Sequence, residues 1–132
     1  VSPASSSTIR VRYAETDQMG VAYHGDYFAW FEVGRTDLLR HRGLTYRELE
    51  QQDLRLPVIE TGARFLRPAL YDDELEIRTR VTSLTGARIT FEYEVRRTGA
   101  DGLLATAFTA HAAVNGRGRP RRFPPALRSR LA

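Results

Sequence analysis

One run with a helix's period precedes four runs with a strand's period, and that order limits the architecture of this chain more than any other feature. Over residues 26–41, Tyr27, Trp30, Phe31, Gly34 and Leu38 follow i, i+3, i+4, i+7 spacing, and Phe28, Val33 and Leu39 widen the apolar face. A face that broad belongs to a helix wrapped on more than one side. Gly34 in mid-helix costs about 1 kcal/mol against Ala, a cost that close packing of the helix backbone on a sheet would explain. Arg40, His41 and Arg42 suit the negative end of the helix, and Gly43 suits its stop. Thr45, with Glu48 three residues on, makes a capping box for a short second helix over 45–52.

From residue 56 the period is two. Ile59, Thr61, Ala63 and Phe65 share one face of a run that Pro68 ends. Leu75, Ile77, Thr79 and Val81 alternate with charged residues, and so do Ile89, Phe91, Tyr93 and Val95. Residues 103–115 are small or apolar on both faces, which predicts a strand covered on both sides. An earlier strand over 8–13 sets Ile9, Val11 and Tyr13 against Arg10 and Arg12. Short turns make the last four runs antiparallel neighbours. The expectation is one α+β domain over 8–124, a five-stranded antiparallel sheet wrapped around one long central helix. Residues 1–7 read as a disordered leader. Residues 125–132 read as a basic C-terminal tail, with a short helix after Pro125. A single sheet layer leaves open edges, which predicts a dimer.

Composition narrows the chemistry. There is no Cys, which excludes disulfides, thiolate nucleophiles and Cys-ligated zinc. All 20 basic residues are Arg, so a Schiff-base lysine is excluded too. His24, His41 and His111 show no metal-ligand spacing, and no phosphate-cradling Gly loop occurs, so no metal and no cofactor are expected. No run approaches the roughly 18 apolar residues of a membrane helix, and no targeting segment is evident, so the expected location is cytoplasmic. The net charge is +4, with Arg117, Arg119, Arg121, Arg122, Arg128 and Arg130 following the last acid, Asp101. A basic end of this kind could touch nucleic acid or a phosphorylated ligand. With only Phe123 as an aromatic among these arginines, nucleic acid is not the expected partner.

Chemistry concentrates in 13–42. Asp17 sits in a polar loop, seven residues before a helix opening near His24. A carboxylate at that spacing can fold back beside the helix start, where free backbone N–H groups and the positive dipole end lie. An anionic nucleophile or base beside an electrophile-polarising site suits acyl transfer. The plain alternative for Asp17 is a loop aspartate closing an Asx-turn. His24 has two candidate roles, a side chain that orients Asp17 or water and a backbone donor. Glu32 reads as a polar-face residue or a partner for Arg35, and His111 as a satisfied core histidine. Arg88, opening a strand after the Gly86 turn, could clamp phosphates, with a solvated edge charge as the equal alternative.

The segments Y-A-E-T-D-Q-M-G-V-A-Y-H-G-D-Y-F at 13–28, F-E-V-G-R-T-D-L-L-R at 31–40 and F-L-R-P-A-L-Y-D-D-E-L at 65–75 resemble a known family. It is that of the hotdog-fold acyl-CoA thioesterases of the 4-hydroxybenzoyl-CoA class, in particular the bacterial Tol-Pal-associated type. The resemblance covers roughly residues 8–124. It departs at Gly25-Asp26, where many relatives carry Ala-Asn or Pro-Asn. It implies a hotdog fold, a catalytic carboxylate at Asp17 and a helix start around Tyr23, His24 and Gly25 that polarises the thioester carbonyl. It also implies a homodimer or homotetramer with active sites at the subunit interface. On this reading the chain hydrolyses an acyl-CoA to free acid and CoA, with Asp17 as nucleophile or base, His24 assisting and Arg88 on the CoA phosphates. The alternative is a non-catalytic acyl-CoA or acyl-carrier-protein binding protein of the same fold. A hydratase of this fold would use a different histidine–acid motif, which the sequence lacks.

Overall fold

A computed structural model describes residues 3–132. Five strands form one antiparallel sheet: β1 (Ser5–Arg10), β2 (Val58–Phe65), β3 (Glu74–Leu84), β4 (Arg88–Arg97) and β5 (Leu103–Ala112). Three helices accompany them: α1 (Tyr27–His41), α2 (Tyr46–Gln51) and α3 (Pro125–Leu131). The helix-period run is α1, and Tyr27, Trp30, Phe31, Gly34 and Leu38 all lie on its buried face. They meet the inward residues Leu75, Ile77 and Val81 of β3 and Ile89, Phe91, Tyr93 and Val95 of β4, all buried. Phe31 stacks on Tyr93 with ring centroids 4.6 Å apart. Gly34 lets the helix approach β3 so closely that a Cβ there would strike Thr79 and Ile77. The helix ends in a Schellman motif: Leu44 N–H donates to the Leu39 carbonyl, Gly43 N–H donates to that of Arg40, and Gly43 has φ +75. Thr45 caps α2 by accepting from the Glu48 amide.

The strand order is β1-β3-β4-β5-β2. Short turns do make β3, β4 and β5 neighbours, but β2 is not beside β3 as the turn lengths suggested. The 66–73 connection carries the chain across the sheet end instead. It is held by the Leu66 and Arg67 amides on the Leu104 carbonyl and by the Ala22 amide on that of Ala69. Asp73 fixes its far side, accepting from Arg97 Nε at 3.0 Å and from the Leu70 amide at 2.8 Å. The place beside β3 goes to β1, which pairs from Ser5↔Thr79 to Arg10↔Glu74.

Three boundaries move. β1 begins at Ser5, inside the expected leader, because the small side chains of Ser5 and Ser7 alternate inward in register with Ile9 and add ladder bonds to β3. Val1 and Ser2 of that leader lie outside the described residues. Tyr13 leaves the strand for a one-turn 3₁₀ helix over Tyr13–Glu15. Residues 125–132 are no loose tail, since α3 buries Leu127 and Leu131, while Arg128 donates to the Leu84 and Thr85 carbonyls and Arg130 to that of Gly43. β2 departs in a different way. Ile59 and Phe65, expected inward, are 47% and 45% exposed. β2 is an edge strand bulged between Val58 and Glu60, and among the described residues no strand pairs with its outer side.

Candidate active site

Residues 15–23 form a miniature hairpin. The Tyr23 amide donates to the Glu15 carbonyl, Thr16 pairs with Ala22, and the Asp17 amide donates to the Val21 carbonyl. Gly20 closes the tip with φ +78 and donates to the Asp17 carbonyl. The exposed Asp17 side chain accepts the Met19 amide on Oδ1 at 2.9 Å, which is an Asx-turn, and Oδ2 has no partner among the described residues. The carboxylate lines a crevice of ≈ 670 Å³ with Tyr13, Thr16, Gln18, Gly20 and Tyr71. Tyr13 and Tyr71 meet edge to face there, with centroids 5.7 Å apart.

The hairpin hands the chain to a 3₁₀ turn, His24–Asp26, which runs directly into α1. Of the three amides expected to polarise a carbonyl, that of Tyr23 is committed to Glu15, which removes it as a donor. The amides of His24 and Gly25 donate to no group among the described residues. The Tyr23 ring covers Gly25 so closely that a Cβ on Gly25 would sit 2.6 Å from Tyr23 Cε2. The exposed His24 ring lies against Tyr23 at 4.5 Å and faces Phe65 of β2 at 6.1 Å. Asp17 in the hairpin and His24 just after it therefore lie at one end of the sheet, but no hydrogen bond joins them within the chain.

Arg88 is elsewhere. It opens β4 opposite Ala112, one row beyond the one that β2 reaches at Val58, whereas the Asp17 hairpin docks at the end marked by Leu70 and Asp73. The nine-residue step along β4 from Arg88 to Arg97, which binds Asp73, is about 30 Å long and separates the two ends. Arg88 is exposed and stands near the glycine turn over which Arg122 folds.

Glu32 is exposed and makes no ion pair with Arg35. Arg35 instead begins a buried relay. It donates to the Tyr46 and Tyr93 hydroxyls at 3.2 and 3.5 Å. Tyr93 Oη lies 2.6 Å from Thr109 Oγ1, Thr109 Oγ1 lies 2.8 Å from His111 Nε2, and His111 Nδ1 lies 2.8 Å from the Leu56 carbonyl. A guanidinium can only donate and a carbonyl can only accept. The Leu56 carbonyl therefore places a hydrogen on His111 Nδ1, and with the imidazole neutral Nε2 accepts from Thr109, whose oxygen accepts from Tyr93. Burial, reinforced by the Arg35 charge, holds His111 down at about 4. His111 is the satisfied core histidine that its strand position suggested.

In the sequence Glu15 is one residue of a polar loop with no signal of its own. Its side chain is buried. Oε1 accepts the Arg12 amide at 2.8 Å, while Oε2 accepts the indole N–H of Trp30 at 3.0 Å and the Arg12 guanidinium at 3.3 Å. Burial alone would raise its pKa, but these donors prevail and hold it below the usual carboxylate range. No periodicity links residue 15 to residue 30, so only the fold reveals the contact. Among the described residues no group of three His, Asp or Glu side chains is placed to hold a metal ion.

A family model described as the thioesterase-like superfamily matches residues 11–131, through α3. The acyl-CoA thioester hydrolase YbgC of Escherichia coli is 36% identical over 87 residues, 66% of this chain and 65% of that protein. The chain thus spans just under two thirds of that relative. The acyl-CoA thioesterase YbgC of Haemophilus influenzae is 34% identical over 126 residues, 94% of this chain and 91% of that one. The crystal structure of a DHNA-CoA thioesterase from Staphylococcus aureus superposes with a TM-score of 0.91 at 30% identity, covering 96% of this chain and 87% of that one.

Proposed function

Because the chain belongs to the thioesterase-like superfamily and has its hotdog architecture, we propose that it hydrolyses an acyl-CoA thioester to the free acid and CoA, with Asp17 supplying the carboxylate. The observation that carries this reading is the crevice beside Asp17, whose Oδ2 is unengaged, at the same end of the sheet as the partnerless His24 and Gly25 amides. A thiolate is a good leaving group, so the reaction needs little more than a carboxylate and donors for the developing oxyanion. Asp17 either attacks the carbonyl, forming a mixed anhydride that water then opens, or deprotonates the attacking water. His24 assists at the mouth, and the Tyr23 ring, resting on Gly25, shapes the approach to the amides. No metal or redox group enters this scheme, and CoA takes part only as the substrate's carrier.

The working unit in this reading is a homodimer joined along β2, in which the second copy covers Val58, Ile59, Phe65 and Leu66, all about half exposed in one chain. A strand paired with its own copy across a two-fold axis runs antiparallel to it. One protomer's Asp17 end then faces the other's Arg88 end, and Arg88 could reach the CoA phosphates of a site it does not share within its own chain. The test is turnover by Asp17→Asn over a panel of acyl-CoAs. Loss of about 10²–10⁴-fold in kcat from a folded variant is expected. Unchanged turnover removes the mechanism, and tight CoA binding without release of free thiol would make the chain a binding protein instead.

A further inference from the structure

We propose that Glu15 is a positioning residue for this reaction, an ionised clamp that sets where the Asp17 carboxylate stands relative to the helix-start amides. The inference rests on the hydrolase reading above. One residue here holds three segments together. Its Oε1 takes the backbone amide of Arg12 at the end of the β1 segment, and its Oε2 takes the Trp30 indole one turn inside α1. Its carbonyl takes the Tyr23 amide, the last residue before the 3₁₀ turn that presents His24 and Gly25. Asp17 is two residues further along the same hairpin and has no side-chain tie to the body of the domain, since its one hydrogen bond is the local contact to Met19. Residue 15 therefore sets the hairpin's position from one limb, beside the backbone ties of Val21 to Leu70 and Ala22 to Ala69 on the other.

The protonation state matters for this role. A carboxylate accepts at both oxygens, and all three donors found here need acceptors. An amide in the same place keeps one acceptor and turns the other position into a donor, facing either Trp30 Nε1–H or the Arg12 amide with like against like. The site would remain folded, but the hairpin would be released from one of its anchors. Displacement of a reacting group by about 1 Å can cost 10²-fold in rate.

The experiment compares Glu15→Gln, Trp30→Phe, their double variant and Asp17→Asn on the full chain, with kcat and KM measured separately. Trp30 is the only tryptophan, so its emission reports the environment of this contact in every variant that keeps it. The expected result is a kcat about 10- to 100-fold lower in each of the first two variants, with KM within about threefold. The double variant should be no worse than the poorer single, because both substitutions cut the same tie. A purely structural role would lower stability and leave the kcat of the folded fraction alone. Wild-type kcat in folded Glu15→Gln, or single-variant losses that multiply in the double, would overturn the proposal. If Glu15→Gln does not fold, Trp30→Phe alone decides by the same kcat criterion. Turnover lost in Asp17→Asn but retained in both single variants sinks only this inference. Turnover retained in Asp17→Asn sinks the hydrolase mechanism, and a wild-type chain that cleaves no thioester sinks both.

Discussion

His111 is fully buried, and that burial favours its neutral form, with the Leu56 carbonyl holding the hydrogen on Nδ1. A proton on Nε2 would aim a donor at Thr109, whose own hydrogen already points back. Thr109 would then turn its hydrogen toward Tyr93, whose own hydroxyl hydrogen would lose that partner. The linkage follows from the sign of the shift. The folded pKa of about 4 lies below the ordinary 6.5, so between those values the unfolded chain binds the extra proton. Stability from this group is fully present above about pH 6.5 and is lost as the pH falls through about 4, amounting to roughly 3 kcal/mol. Urea denaturation at pH 7.5 and pH 5 should show the loss, and His111→Gln should flatten that part of the profile. This residue was readable from sequence as a core histidine, because a histidine on a strand with small residues on both faces has little else to be. Glu15 was not. Its partners lie three and fifteen residues away on different elements, and a buried acid looks like any loop acid until the loop has folded.

At the level of elements, the close contact between α1 and β3 offers a calculation with two opposing terms. Gly34→Ala would gain about 1 kcal/mol of helix propensity. The added Cβ would meet Thr79 Oγ1 and Ile77 Cγ2, both on a central strand that cannot withdraw from its ladder. Overpacking of that kind costs about 1–3 kcal/mol. The net expectation is a loss of up to about 2 kcal/mol, read as a lower thermal midpoint, despite a substitution that favours helices. The helix, its apolar face, its caps and the alternation of β3 and β4 were all legible because a local period encodes each of them. Strand order was not, because turn lengths say which strands are able to pair and not which edge a crossing connection reaches. The exposed side of β2 was misread for a related reason. Alternation marks a face as apolar but does not say whether the same chain covers it.

For the molecule as a whole, α3 belongs to the domain and not to a disposable tail. Removing residues 125–132 would take away Leu127 and Leu131, each buried, at about 1.5–3 kcal/mol apiece. The Arg128 bonds to the β3–β4 turn would go with them. Truncation should therefore lower stability by several kcal/mol in a denaturant titration. Any loss of anion or nucleic-acid binding in that variant would have to be separated from unfolding. The strand order carries one more implication. β1 and β2, first and second in the chain, are the outermost strands of the finished sheet, while its middle is supplied by β3, β4 and β5. A ribosome therefore releases both borders, and the greasy helix between them, before there is any centre for them to join. Phe31 lacks its stacking partner until Tyr93 has been made, and among the described residues β2 lacks its strand neighbour until β5 emerges. The folding of a chain of this design should come as one late collapse rather than a stepwise build-up.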